Sequence, residues 1–366
     1  MECDAFWKEM TVETLLVALS SPRVIRSFGE GEWDRILRVA RRNNLLGRLA
    51  CLTEEEGLAG GLSDRVRRHL SAAVRLADAH RRAVLWELDR IRWALRDVSG
   101  PVVLLKGAAY VAEELDVARG RLSADVDILV RRGDLPAVER ALLEKGWEPV
   151  KDSAYDQGYY RNWMHELPPL RHRDRGSVVD VHHNILPLTG RIRIDSDLFF
   201  QSARRSKLEG YHVLSMVDIV LHSVVHLFQD GVVTGSLRDV VDLDALLRLW
   251  SPGDSFWKEL PVRAGRLGVM RPLAYALHVV QRVMGTPVPR PVLDVVERES
   301  GAGAVVRRFM VEAMERALMS GDLCGVGPLA VLSQRFLFLR SHWLRMPPLL
   351  LVRHALSKGA RGLRRP

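Results

Sequence analysis

The chain has 366 residues, 54 Lys and Arg against 45 Asp and Glu, and 47% hydrophobic residues, enough to bury a core and to divide into two or three domains. That composition excludes a disordered chain, a collagen-like repeat and a disulfide scaffold. The formal charge is +9, but eight Lys and Arg and no Asp or Glu lie from Arg335 onward, so the body is close to neutral and the basic signal is mostly a tail.

Only seven basic residues are lysines, and an arginine surplus beside abundant Ala, Val and Leu fits GC-rich codon usage without naming a partner. Cys3, Cys51 and Cys324 lie far apart with no C-x-x-C pair, which argues against a disulfide framework and a cysteine-based zinc site. The acidic N-terminus, MECDAFWKEM, lacks the basic and apolar regions of a signal peptide, and apolar runs such as 15–19 and 273–277 are far too short to span a bilayer. The expectation is a cytoplasmic protein with no stable membrane insertion.

Apolar residues at three- and four-residue spacing over 33–49 and 62–95 predict helices, so residues 1–99 read as an N-terminal helical segment. At Ser99-Gly100-Pro101 the texture changes, and Val102 to Leu105 form a short buried-strand run ending at Gly107. A helix over 108–115, a strand over 125–130 and a helix over 135–145 closed by Gly146 follow. Residues 147–176, rich in Tyr, Trp, Pro and charge, read as strands and loops, and 177–182 alternates as a further strand. These elements place an α/β core at 100–205. Helical periodicity returns over 219–228, 237–250, 272–284, 305–318 and 329–343, giving a C-terminal helical domain at 206–366 that carries the basic tail. The expected fold class is α+β, a small mixed β-sheet flanked by helical segments.

Asp125 and Asp127 are one residue apart in an apolar strand, so both carboxylates point to one face while Val126, Ile128 and Val130 pack on the other. Two adjacent like charges are costly, and the usual compensation is a hard divalent cation shared with substrate phosphates. A bare D-x-D also occurs at ordinary solvated strand ends. Asp180 in a second apolar strand adds a third carboxylate, able to complete a metal site and to orient an attacking hydroxyl. Lys106 and Gly107 stand at a strand-to-helix turn, where Gly allows close backbone approach and Lys adds a point charge for phosphate. Arg121, four residues before Asp125, offers planar multi-donor contacts to phosphate oxygens.

Lys106-Gly107, Arg121 followed by Asp125-Val-Asp-Ile-Leu-Val130, and Val179-Asp-Val-His182 together resemble the uncharacterised nucleotidyltransferase family of the polymerase-β-like superfamily. Its pattern is an L-K-G loop, an R-x-x-x-D-[IV]-D-[IL]-L-V strand and a later D-[LV]-H strand. The helix bearing His222 and His226 and the segment 237–242 also resemble its C-terminal part, so the likeness covers about residues 100–250.

The resemblance implies a transferase of the EC 2.7.7 type that moves a nucleoside monophosphate from an NTP, ATP among them, to an acceptor hydroxyl on a small molecule, a protein or RNA. It also implies two Mg2+ ions, with Mn2+ as a substitute. By the same resemblance Asp125 and Asp127 bind metal and nucleotide phosphates, and Asp180 binds the catalytic metal and helps to deprotonate the acceptor. Lys106, Gly107, Arg121 and His182 fall on the nucleotide and phosphate side. The wider superfamily has Gly-Ser or Gly-Gly in its loop, whereas Ala108 follows Gly107 here and brings no hydroxyl. That departure supports a second reading, a catalytically inactive nucleotide- or nucleic-acid-binding protein on the same fold.

Seven of twelve histidines fall between 165 and 226, and His222 with His226 has the i, i+4 spacing of a zinc pair. The pair lacks the glutamate of H-E-x-x-H, so core hydrogen bonding is the expected role, and for His182 the orientation of Asp180 or a phosphate contact. Tyr155, Tyr159, Tyr160 and Trp163 are expected in the core rather than against a nucleotide base. Arg238, Asp239 and Asp242 read as a polar helix face, with Arg238 within possible reach of phosphate. The tail from Arg335, with interleaved Phe336, Leu339 and Trp343, reads either as a packed helix with exposed arginines or as a contact for an anionic partner.

Overall fold

The computed structural model describes residues 3–150, 153–229, 236–251, 254–320 and 327–351. The terminal part of the basic tail and Cys324 lie outside the described residues, as do the side chains of Cys3 and Tyr155.

Seven short strands form one mixed sheet: β1 (Val103–Leu104), β2 (Val126–Leu129), β3 (Trp147–Pro149), β4 (Leu170–His172), β5 (Val178–His182), β6 (Arg204–Arg205) and β7 (His212–Val213). The spatial order is β3-β4-β5-β2-β1-β7-β6. The two central strands that carry the acids, β2 and β5, run parallel, while β1 is antiparallel to β2 and parallel to β7. Helices precede and follow this sheet, so the α+β expectation holds. Buried apolar residues from before, within and after the sheet form one continuous cluster, including Leu88, Leu104, Val181, Val220 and Leu243. No described helix is long and apolar enough to cross a membrane.

The long helix expected over 62–95 is present as Asp64–Ala94. The one expected over 33–49 is two, Glu30–Arg42 and Leu46–Glu55, because Asn44 between them takes a left-handed backbone with φ of 57°. Asparagine tolerates that conformation better than most residues. The break lets Gly47 meet Gly120 so closely that a Cβ on either would collide with the other's backbone. The loop that leads to Arg121 is thereby seated on the N-terminal helices.

Residues 147–176 are not all strand and loop, since Ala154–Trp163 is helical and separates β3 from β4. Tyr160 is buried there, and Tyr159 meets Tyr160 and Trp163 edge to face with ring centroids 5.6 and 5.8 Å apart, which suits packing more than base stacking. The helix expected over 108–115 is Lys106–Ala112, two residues earlier at its start and closed by Glu114 in a left-handed conformation. Two further helices that periodicity did not single out are Asp254–Leu267, with Pro261 in its interior, and Arg290–Glu299.

Candidate active site

Parallel pairing of β2 with β5 sets Asp127 directly opposite Asp180 and Leu129 opposite His182. Strand alternation then gathers Asp127, Asp180 and His182 on one face, with Asp125 at the bend just before β2. The other face is apolar, with Val126, Ile128, Val179 and Val181 all buried. A one-residue slip would bury the acids in that core, so the hydrophobic pattern itself fixes the register of the two carboxylates.

Asp127 is the acid that the fold neutralises. Its Oδ1 lies 3.0 Å from His182 Nε2 and 3.6 Å from Lys106 Nζ. Burial opposes its ionisation, yet the Lys106 ammonium and the His182 hydrogen bond hold its carboxyl well below the usual range. The His182 imidazole therefore orients Asp127, where the sequence pointed to Asp180. Burial lowers the basicity of His182, but the bond to Asp127 and the charge of Glu166 outweigh it and push the imidazole up.

The other two acids are not neutralised. Burial and the Asp127 charge push Asp125 up, against the pull of Lys106. Asp180 is pushed up to about 7 by burial and by the charges of Asp127 and Glu166. Its Oδ1 is buried without a hydrogen-bond partner. A buried, unpaired carboxylate oxygen between two other acids is destabilising unless a cation meets it, and all-oxygen donors suit Mg2+ or Mn2+. The donor set therefore fits a hard divalent ion.

Lys106 reaches Asp127 from a strained backbone, with φ of 44° at the first turn of its helix, a conformation seldom held by a lysine without a surrounding constraint. The constraint is visible on both sides. The Leu105 amide donates to the Asp127 carbonyl at 3.1 Å, and a Cβ on Gly107 would collide with the Ser123 hydroxyl and the Arg121 guanidinium. The hydroxyl missing after Gly107 in sequence is thus present in space, supplied by Ser123.

Arg121 is itself a bracket. Its Nε donates to Asp242 Oδ2 at 2.8 Å, its Nη1 donates to the Ser123 hydroxyl, and its guanidinium sits 5.6 Å from the Tyr110 ring centroid. Asp242 is buried rather than part of a polar helix face. Arg238 Nη1 donates to the Leu122 carbonyl at 3.1 Å, and the Ser123 amide donates to His80 Nε2 at 2.9 Å. Residues 120–123 are held by Gly47 and His80 from before the sheet and by Arg238 and Asp242 from after it.

Two residues that the sequence did not place in the site belong to it. Glu166 forms a bridge with His182 and brings its Oε2 to 3.4 Å from His182 Nδ1. His222, on the helix Met216–Gln229, is buried, and burial together with the charges of Lys106 and His226 keeps it well below the usual imidazole range. His226 Nε2 lies 4.0 Å from Asp239 Oδ2, while the Asp127 charge acts on His222. For His222 the family-like helix was the available signal. Glu166 had none, because its contact arises from pairing between segments that no motif links.

Among curated proteins nothing matches the chain. The uncharacterised nucleotidyltransferase family matches over residues 29–285, a span that contains the acid face, the Lys106 turn and the Arg121 loop with all the helices that hold it, and the chain belongs to that family.

Proposed function

We propose that the protein is a divalent-metal-dependent nucleotidyltransferase, moving a nucleoside monophosphate from an NTP to an acceptor hydroxyl on a small molecule, a protein or RNA. The observation that carries this reading is the pairing of Asp127 with Asp180 on one sheet face, with Asp180 Oδ1 buried and unmatched. In the reaction the acceptor oxygen forms a bond to the α-phosphorus, the bond from that phosphorus to the bridging oxygen of the β-phosphate breaks, and pyrophosphate leaves with the electron pair.

Asp125, Asp127 and Asp180 would hold Mg2+, which supplies positive charge for the phosphates and the developing oxyanions. Asp180 accepts the acceptor hydroxyl's proton, having a buried oxygen that no hydrogen bond of the chain occupies. Lys106 moves between Asp127 and the incoming phosphates, and its strained turn aims it there before substrate arrives. Ser123 takes the part of a loop hydroxyl beside Gly107. Arg121 orders that loop and adds positive charge near the phosphates while remaining paired with Asp242.

The test is incubation of the wild type and Asp127→Asn with each labelled NTP, Mg2+ and pools of RNA, protein and small molecules. Pyrophosphate release and a labelled acceptor with the wild type alone are expected. Saturable NTP binding with no release in any pool would favour the inactive binding protein instead.

A further inference from the structure

The aspartate face leaves one polar arrangement unexplained. Asp127 is ionised and can only accept, so His182 Nε2 carries a proton and donates it at 3.0 Å. Nδ1, the other ring nitrogen, is left on the side away from Asp127. That atom is buried, has no hydrogen-bond partner, and faces Glu166 Oε2 at 3.4 Å. His182 as a whole is 4% exposed, so this meeting of ring nitrogen and carboxylate is shut away from bulk water.

Beside this pair lies His165, whose ring centroid is 5.4 Å from that of His182. Ligand atoms of His165, Glu166 and His182 all lie within 4.8 Å of one another. The His183 amide donates to the His165 carbonyl at 2.8 Å, and Glu166 bridges His182, so the backbone of β5 fixes where all three emerge. Two ligands on a tetrahedral ion with bonds of about 2.0 Å stand roughly 3.3 Å apart, close to the spacing of His182 Nδ1 and Glu166 Oε2.

The geometry points to a second metal site, different in chemistry from the aspartate face: His165, Glu166 and His182 take one borderline transition-metal dication, Zn2+ foremost. Two imidazoles and one carboxylate are softer than three carboxylates, so the two sites sort metals by donor type. The ion occupies the space between His182 Nδ1 and Glu166, and a fourth position stays open for water or another ligand. His182 then forms a carboxylate–histidine–metal relay, in which the bound ion strengthens the Nε2 hydrogen bond to Asp127 and fixes that carboxylate's orientation. An imidazolium donating to Glu166 is the metal-free arrangement with the same geometry.

The test uses the full chain, stripped with a chelator and titrated with ZnCl2 or CoCl2 alone. About one Zn2+ per chain is expected, retained against excess Mg2+. Glu166→Gln and His165→Ala should each weaken it at least about 10-fold, while Asp180→Asn leaves it unchanged. The wild type with Co2+ should show the intense visible bands of a four-coordinate ion, a readout independent of how any variant folds. Failure to retain Zn2+, the weak spectrum of six-coordinate aqueous Co2+, wild-type zinc affinity in both ligand variants, or loss of zinc in Asp180→Asn would each overturn the site. None of these outcomes depends on nucleotide transfer, so they separate from the proposed activity.

Discussion

Asp218 and Asp180 both carry a buried carboxylate oxygen, but their surroundings are opposite. Asp218 is fully buried on the helix Met216–Gln229, and its oxygens are closed off. Arg263 donates to both at 2.7 and 2.9 Å, and the Ser202 and Ser215 hydroxyls donate to Oδ2 at 2.6 and 3.0 Å. Asp180 has a buried oxygen with no hydrogen bond and charged neighbours that are mostly acidic. A carboxylate whose lone pairs are all matched ties helices together. One with an unmatched oxygen is held open for something that the chain does not itself contain.

The sharpest way to break this contrast is to neutralise the open acids. Asp127→Asn and Asp180→Asn should each lower pyrophosphate release by about 10³-fold or more, the loss expected when a group acting on transition-state charge is removed. Steady-state assays with the best NTP will check it, and retained transfer in either variant would remove these acids from the chemistry.

Stability should move the other way. Asp218→Asn leaves the half-buried Arg263 without its counter-charge and should cost about 3 kcal/mol in denaturant unfolding. Asp180→Asn in metal-free protein should be neutral or stabilising, because it removes an unmatched charge. If the two variants cost the same, Asp180 is a structural acid and the comparison fails.

Gly107→Ala should destabilise by roughly 1–3 kcal/mol, since the new Cβ displaces Ser123 and Arg121. NTP affinity should fall with it, which calorimetry and thermal unfolding would read together.

The smallest effects are in pH. Because Asp180 is raised to about 7, the unfolded chain gives up this proton first, so this group disfavours the fold progressively as pH rises from about 4 to 7. A bound cation takes the proton's place, and the gain in thermal midpoint from Mg2+ should therefore grow between about pH 6 and 8. His183 contributes with the opposite sign. Burial and Arg132 push it down to about 4, so its contribution is complete above 6.5 and is lost as pH falls toward 4, on the order of 1 kcal/mol after allowing for partial solvent screening.

Much of the candidate site's geometry was legible because strand alternation and local motifs report short-range geometry. Asp125, Asp127 and Asp180 stand out by their placement among Val and Ile, and Lys106 by its turn. What could not be read was the pairing of distant segments. Glu166 meets His182 across an isolated bridge, Ser123 reaches Gly107 from another loop, and Asp242 turns inward to Arg121. The helix Ala154–Trp163 was hidden by aromatic and charged residues whose weak periodicity resembles loop. Position before Asp125 brought Arg121 to attention and the family likeness His182, but the partner of each is set by tertiary contacts alone.

The four-way seating of residues 120–123 means that the site is not portable. A fragment cut to the sheet would keep every acid and lose Gly47, His80, Arg238 and Asp242, the groups that hold the Arg121 loop against Gly107. Helices that carry none of the acids are in this sense part of the candidate site. Changes made in either helical segment near these four residues would be felt at the Arg121 loop, and insertions are better tolerated at exposed loop tips.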